Sequence, residues 1–151
     1  MEYSAKNVFM CVQWEVFLTT AIMQPYFFPY IGYFSLIAYA DHFVAFDTPQ
    51  YIRRGGVNRN RRQKGDGNTN YIVVPLCKAP RETPINKMRI NHVEKWQERL
   101  LAQLGVYKKK APNYFVVRDF MENILKTDDI YLSDLNLRCI RSVLSFLGID
   151  T

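Results

Sequence analysis

The stretch from Val16 to Phe46, VFLTTAIMQPYFFPYIGYFSLIAYADHFVAF, decides the fold. It opens with VFLTTAIM, apolar and β-branched, and stops at Gln24-Pro25, which predicts a buried strand over Val16–Met23 ending at a proline. Pro25 and Pro29 bracket an aromatic loop, QPYFFPYIG. Tyr33 to Ala40 then runs without a breaker and predicts a short helix. HFVAF, from His42 to Phe46, predicts a second strand, closed by Asp47 and Pro49. Strand, loop, helix, strand at this spacing is a βαβ unit, with parallel strands and a right-handed crossover. The predicted class is α/β: a small parallel or mixed sheet with a Rossmann-like, nucleotidyltransferase-like N-terminal half and a helical C-terminal half.

Downstream, Thr48 to Asn70 reads as a long polar loop punctuated by Gly55-Gly56 and Gly65-Asp66-Gly67, with room for a strand at its start. YIVVPL, from Tyr71 to Leu76, predicts a third strand, and Pro75 favours an edge position. Asn91 followed by Glu94 resembles a capping box, with Val93, Trp96, Leu100 and Leu104 at helical spacing behind it. Tyr114 to Lys126 carries Phe115, Met121, Ile124 and Leu125 in the same way. Ser133 reads as the cap of a last helix whose stripe is Leu137, Ile140, Val143, Leu144 and Leu147, with Gly148 closing it. Upstream, residues 1–17 read as an N-terminal extension. Glu2, Lys6, Gln13 and Glu15 break the apolar run a secretory signal needs. Ile149 after Gly148 reads as the start of a further strand. The domain is therefore expected to span residues 18–151 and to be incomplete at its C-terminus.

The chain has 151 residues, 48% of them hydrophobic, which suits one folded domain and excludes wholesale disorder. No apolar run is long enough for a membrane span. The formal charge is +6, and Arg53, Arg54, Arg59, Arg61, Arg62 and Lys64 account for all of it, since the 53–64 segment holds no acid. Basicity this local points to one anionic ligand site, such as a phosphate, nucleotide or carboxylate, more than to nucleic acid, whose binders spread charge over a face. Cys11, Cys77 and Cys139 form neither a CxxC pair nor a metal spacing, and read as small apolar residues of a reducing cytoplasm. No metal is expected, and the cofactor and the oligomeric state are left open.

The loops leaving two parallel strands emerge at one sheet edge, where ligands of open α/β sheets sit. That places Gln24, Tyr26, Tyr30, Gly32 and Tyr33 on one wall of a cleft, and Asp47, Gln50, Arg53, Arg54, Asn58, Arg59 and Arg61 on the other. The aromatic rings can stack on a flat ring, and arginines grip phosphate or carboxylate bidentately. Gln50 and Asn58 can orient a sugar or an amide. Asp47 is the candidate general base, and Tyr30 the candidate hydroxyl donor beside it. Tyr30-Ile31-Gly32-Tyr33 sits where HIGH-motif nucleotidyltransferases place His-x-Gly-His, but two tyrosines replace the two imidazoles. His42 and His92 have no partner at a telling spacing and read as structural.

MQPYFFPYIGYF at Met23–Phe34, Asp47, Gln50–Arg54 and Asn58–Arg61 together resemble the WbqC-like protein family. The similarity continues through Val74-Pro75-Leu76, Ile90-Asn91, Lys109–Tyr114, Leu132–Asn136 and Leu147-Gly148-Ile149. The resemblance implies a cytoplasmic role in O-antigen and other surface-polysaccharide assembly, with aminoacyl or acyl transfer to a nucleotide-activated sugar as the suggested reaction. The competing reading is a non-catalytic remnant, or a nucleic-acid or anion-binding module using the 53–64 segment.

Overall fold

A computed structural model describes residues 18–64, 66–93 and 95–149. The N-terminal extension, the first residues of the predicted first strand and Glu94 of the capping box lie outside them. The order is β1 (Thr20–Met23), α1 (Ile31–Tyr39), β2 (His42–Ala45), β3 (Arg59–Gln63), β4 (Thr69–Val73), α2 (Trp96–Gln103), α3 (Tyr114–Leu125) and α4 (Leu132–Leu147). Short 3-10 turns lie at Ile85–Lys87 and Leu104–Tyr107. The result is a mixed α/β fold with two small sheets and a helical C-terminal half.

β1 and β2 pair in parallel, Ala21 opposite Phe43 and Ile22 opposite Val44, with α1 between them as expected. β1 is not buried on both faces. Ala21, Met23, Phe43 and Ala45 turn inward, while Ile22 and Val44 face solvent. The reason is coverage: α1 and α4 pack on one side only. Tyr33, Phe34 and Ile37 of α1 meet Ile140 and Leu144 of α4 there, with Met23 and Phe43 against them.

The predicted third strand belongs to a different sheet. β4 pairs antiparallel with β3, Arg61 opposite Tyr71, inside the segment expected to be loop. RNRRQ has no apolar alternation, so its strand conformation comes from ladder pairing with β4 and not from propensity. The hairpin turns at Gly67, whose φ is 85°, with Asp66 accepting from the Asn68 N–H. β4 ends before Pro75, and Leu76 bridges to Ile90 instead.

The main core gathers Phe27, Tyr51, Val57, Ile72 and Val74 under Trp96, Leu100, Ile124, Leu125, Leu132 and Leu135. α4 serves both cores through successive turns of one stripe: Leu132, Leu135 and Cys139 in the main one, Ile140 and Leu144 in the smaller. The stripe is rotated from the expected one, and Leu147 is exposed. Ser133 lies inside α4, not at its cap; Tyr131 holds that position. The C-terminus closes as read: Gly148 has φ 66°, its N–H reaches the Ser145 carbonyl and the Ile149 N–H the Leu144 carbonyl, a Schellman motif. α2 begins at Trp96, so Val93 stays outside it and is exposed. Phe115 is exposed as well. Among the described residues no helix is long and apolar enough to cross a membrane.

Candidate functional site

Two polar segments form the site. Residues 49–54 follow β2, and residues 77–83 follow β4. They run alongside each other: the Tyr51 N–H donates to the Thr83 carbonyl and the Ile85 N–H to that of Pro49. Side chains add cross-ties, Gln50 Nε2 to the Arg81 carbonyl at 2.8 Å and an Arg53 Nη to that of Ala79 at 3.2 Å.

On these segments lie two adjoining cavities that share Tyr51, Arg53 and Arg81. The larger, of about 700 Å³, is lined also by Gln24, Pro49, Gln50 and Ile52. The smaller, of about 340 Å³, adds Arg54, Asn58, Arg59, Cys77 and Lys78. Neither lining contains a carboxylate. Gln24 follows the end of β1 and Pro49-Gln50 the end of β2, so the larger cavity does open where the loops leave the parallel pair.

The aromatic loop is locked onto the basic segment. The Phe27 N–H donates to the Val57 carbonyl, and the Asn60 amide donates to that of Phe28. The Tyr26 ring lies against Gly56, 3.5 Å from where a Cβ would stand. Asn136 of α4, fully buried, donates to the carbonyls of both Pro25 and Val57 at 2.8 Å. One amide thus fixes the spacing between the loop after β1 and the strand that carries Arg59.

Several candidate residues are occupied structurally. Asn58 is buried, accepting from the Tyr51 hydroxyl at 2.8 Å and donating to the Val74 carbonyl at 2.8 Å. Burial pushes the Tyr51 phenol up, while the Arg59 and Arg53 charges oppose it. Tyr33 is buried, and its hydroxyl donates to the Gln24 carbonyl at 2.9 Å. Asp47 accepts from the Ser133 hydroxyl at 2.6 Å and, at 3.4 Å, from the Asn86 amide, tying the end of β2 to α4. It lines neither cavity. Tyr30 is exposed at the start of α1, and its ring covers Gly32 so closely that a Cβ there would come within 2.5 Å. Gly32 lines neither cavity. Arg61 is exposed on β3, outside both linings.

The structure therefore gathers Gln24, Gln50, Arg53, Arg54, Asn58 and Arg59 around one cleft, and leaves Tyr26, Tyr30, Gly32, Tyr33, Asp47 and Arg61 outside its linings. Sequence reading missed Lys78 and Arg81, which flank Pro80 just past the third predicted strand and complete the basic wall. It also missed the tie made by Asn136, and gave Ser133 a capping role in place of its bond to Asp47. Their signal was a polar residue at an apolar register, beside Leu132, Leu135 and Cys139. Cys77, read as apolar filler, is exposed on the small cavity, whereas Cys139 is buried.

The model of the WbqC-like protein family matches residues 24–151. The uncharacterized protein Rv1507c of Mycobacterium tuberculosis is 32% identical over 133 residues, covering 87% of this chain. The chain in turn spans 57% of that relative's length. No solved structure matches. The family match takes in every cleft residue from Gln24 to Arg81, and the chain belongs to the WbqC-like protein family.

Proposed function

We propose that the chain is a cytoplasmic transferase-like protein of surface-polysaccharide, O-antigen, biosynthesis, and that its basic cleft binds a nucleotide-activated sugar. One observation carries the reading. Arg53, Arg54, Arg59, Lys78 and Arg81 surround a concavity that contains no acid. Cations gathered without counter-charges repel one another, and an anionic ligand relieves that repulsion. Gln24 and Gln50 in the larger cavity supply amide groups suited to sugar hydroxyls. Position adds support, because the cleft lies off the carboxyl ends of the parallel strands, as in Rossmann-like folds.

The reading extends to transfer of an acyl or aminoacyl group onto the bound sugar, and here the cleft supports binding and names no catalytic group. Asp47 is held by Ser133 and Asn86, and Tyr30 lies outside the linings.

A thermal-shift panel tests the binding. Nucleotide sugars should raise the melting temperature more than inorganic phosphate at equal concentration. The exposed Arg61 and Lys64 of the β3–β4 hairpin favour the nucleic-acid reading instead. Salt-sensitive binding of arbitrary oligonucleotides, with no shift from any nucleotide sugar, would replace the first reading by the second.

A further inference from the structure

We propose that the smaller cavity is a diphosphate clamp, in which Arg54, Arg59 and Lys78 hold two linked phosphates while Arg53 and Arg81 form the wall shared with the larger cavity. The proposal deepens the nucleotide-sugar reading, and depends on it only for what lies beyond the diphosphate.

Charge comes first. Among the described residues, the ion pairs are confined to the helical half, and none uses these five cations. Glu82, the acid nearest to them in sequence, stands outside both linings. Three cations around 340 Å³ exceed what the single charge of a carboxylate can match, whereas linked phosphates present several charged oxygens to forked guanidinium donors.

Backbone geometry is the second observation. Arg54 has φ 65°, the left-handed region where glycine is the ordinary occupant. It sits in a tight turn closed by the Gly55 N–H on the Ile52 carbonyl at 3.1 Å, and two glycines follow it directly. An arginine kept in a glycine conformation, with its side chain on a basic cavity, is strain tied to a binding group. The third observation is Arg59, whose guanidinium lies 5.7 Å from the centre of the Tyr71 ring. That contact restrains the side chain on the cavity wall. Finally, the wall is preorganised, since the bond from Arg53 to the Ala79 carbonyl holds the loop bearing Lys78 in place.

Titration calorimetry at low salt, without divalent cations, tests the clamp with inorganic pyrophosphate as the probe. Pyrophosphate should bind at least about tenfold tighter than inorganic phosphate, one charge-assisted hydrogen bond being worth roughly that factor. Arg54→Gly and Lys78→Gln should each weaken pyrophosphate by about 10- to 100-fold. Arg54→Gly should at the same time leave the melting temperature unchanged or raised, because glycine accepts this backbone; a merely structural arginine would show the reverse. Absence of pyrophosphate binding, equal affinity for phosphate, or wild-type affinity in both variants would overturn the clamp. Nucleotide sugars bound at wild-type strength by both variants would reject the clamp and leave the sugar-nucleotide reading standing. Nucleotide sugars no tighter than pyrophosphate would do the opposite.

Discussion

The parallel pair β1–β2 is built mostly from apolar residues, and two of them, Ile22 and Val44, face solvent. The antiparallel pair β3–β4 is built largely from Arg, Asn, Gln and Thr, yet it is fastened into the main core. Ile22 is 58% exposed on the first pair, whereas Ile72, opposite Asn60 on the second, is 7% exposed. Composition thus announces the first sheet and hides the second, while burial hardly separates them: Ala21 on the first and Ile72 on the second are each 7% exposed, and the other positions of both are half-buried or exposed. The difference lies in what covers each. One face of β1–β2 meets α1 and α4 and the other meets nothing among the described residues. The hairpin is flanked by Val57 and Val74, both in the core, and Arg62 Nε reaches Gln103 of α2 at 3.1 Å. The sheet that carries Arg59 is thus anchored in the main core at its open end.

The largest effect should come from the core beneath the hairpin. Trp96 is 2% exposed and packs edge-on against Phe27, with ring centres 6.3 Å apart. Trp96→Ala should cost about 3–5 kcal/mol in denaturant unfolding. Trp96→Phe should cost much less, because the Trp96 Nε1 has no hydrogen-bond partner to lose. Ile37→Ala, in the smaller core under β1–β2, should fall near the low end of the usual range, about 2 kcal/mol, since fewer buried side chains surround it. An Ile37 variant more costly than Trp96→Ala would reverse the ranking of the two regions.

Asn136 joins the regions, so its loss tests whether they are coupled. Asn136→Ala removes both donated bonds, but the Val57 carbonyl keeps the Phe27 N–H. Only the Pro25 carbonyl is stranded, which should cost about 1–3 kcal/mol. The more informative readout is functional. Affinity for pyrophosphate should fall in this variant although residue 136 touches no ligand, because the spacing between Gln24 and Arg59 loosens. Stability lost with affinity intact would mean that α4 does not set the cleft.

What was legible divides along the same line. The βαβ unit, α1 to α4 and the Gly148 stop all follow from apolar runs, prolines and a glycine, which act locally. β3 was not legible, since RNRRQ becomes a strand only through its partner. The cleft was half legible. Arg53, Arg54 and Arg59 stood out as a charge run, but Lys78 and Arg81 reach the same cavity by a tertiary pairing that no local pattern reports. Asn58 and Tyr33 show a related ambiguity: a polar atom in a motif looks alike whether it waits for a ligand or satisfies a buried carbonyl, and Asn58 bonds such a carbonyl while lining the cleft.

Tyr33 offers a smaller effect, readable by pH. Burial raises its phenol above the ordinary tyrosine range, with the nearby Tyr26 adding to the shift. The neutral form is the one the fold favours. Its contribution is complete below the unfolded-state value near 10 and is lost as pH climbs from there toward the folded value. Cys139, raised by burial first and by Asp129 second, acts in the same direction from a lower starting point. Tyr33→Phe should therefore flatten the alkaline loss of stability, while lowering stability at neutral pH through the missing bond to the Gln24 carbonyl. An unchanged alkaline limb would assign that loss to Cys139 and to Tyr51, whose phenol is also pushed up by burial.

The smallest effect is expected on the outer face of β1–β2. Ile22 and Val44 are register partners, so in a parallel pair they share one face, and both are exposed, at 58% and 45%. Exposed positions clear of caps and networks usually move stability by no more than about 0.5 kcal/mol. Ile22→Thr and Val44→Thr also keep the β-branched shape that suits a strand. Each should be close to neutral, and any departure from additivity in the double variant should reflect their own cross-strand contact. The same substitution turned inward, at Phe43 against the Tyr33 ring 5.7 Å away, should be clearly destabilising. If Ile22→Thr instead cost well over 1 kcal/mol, the outer face would not be a free surface. The contrast between an apolar sheet with an open face and a polar hairpin anchored in the core would then lose its first half.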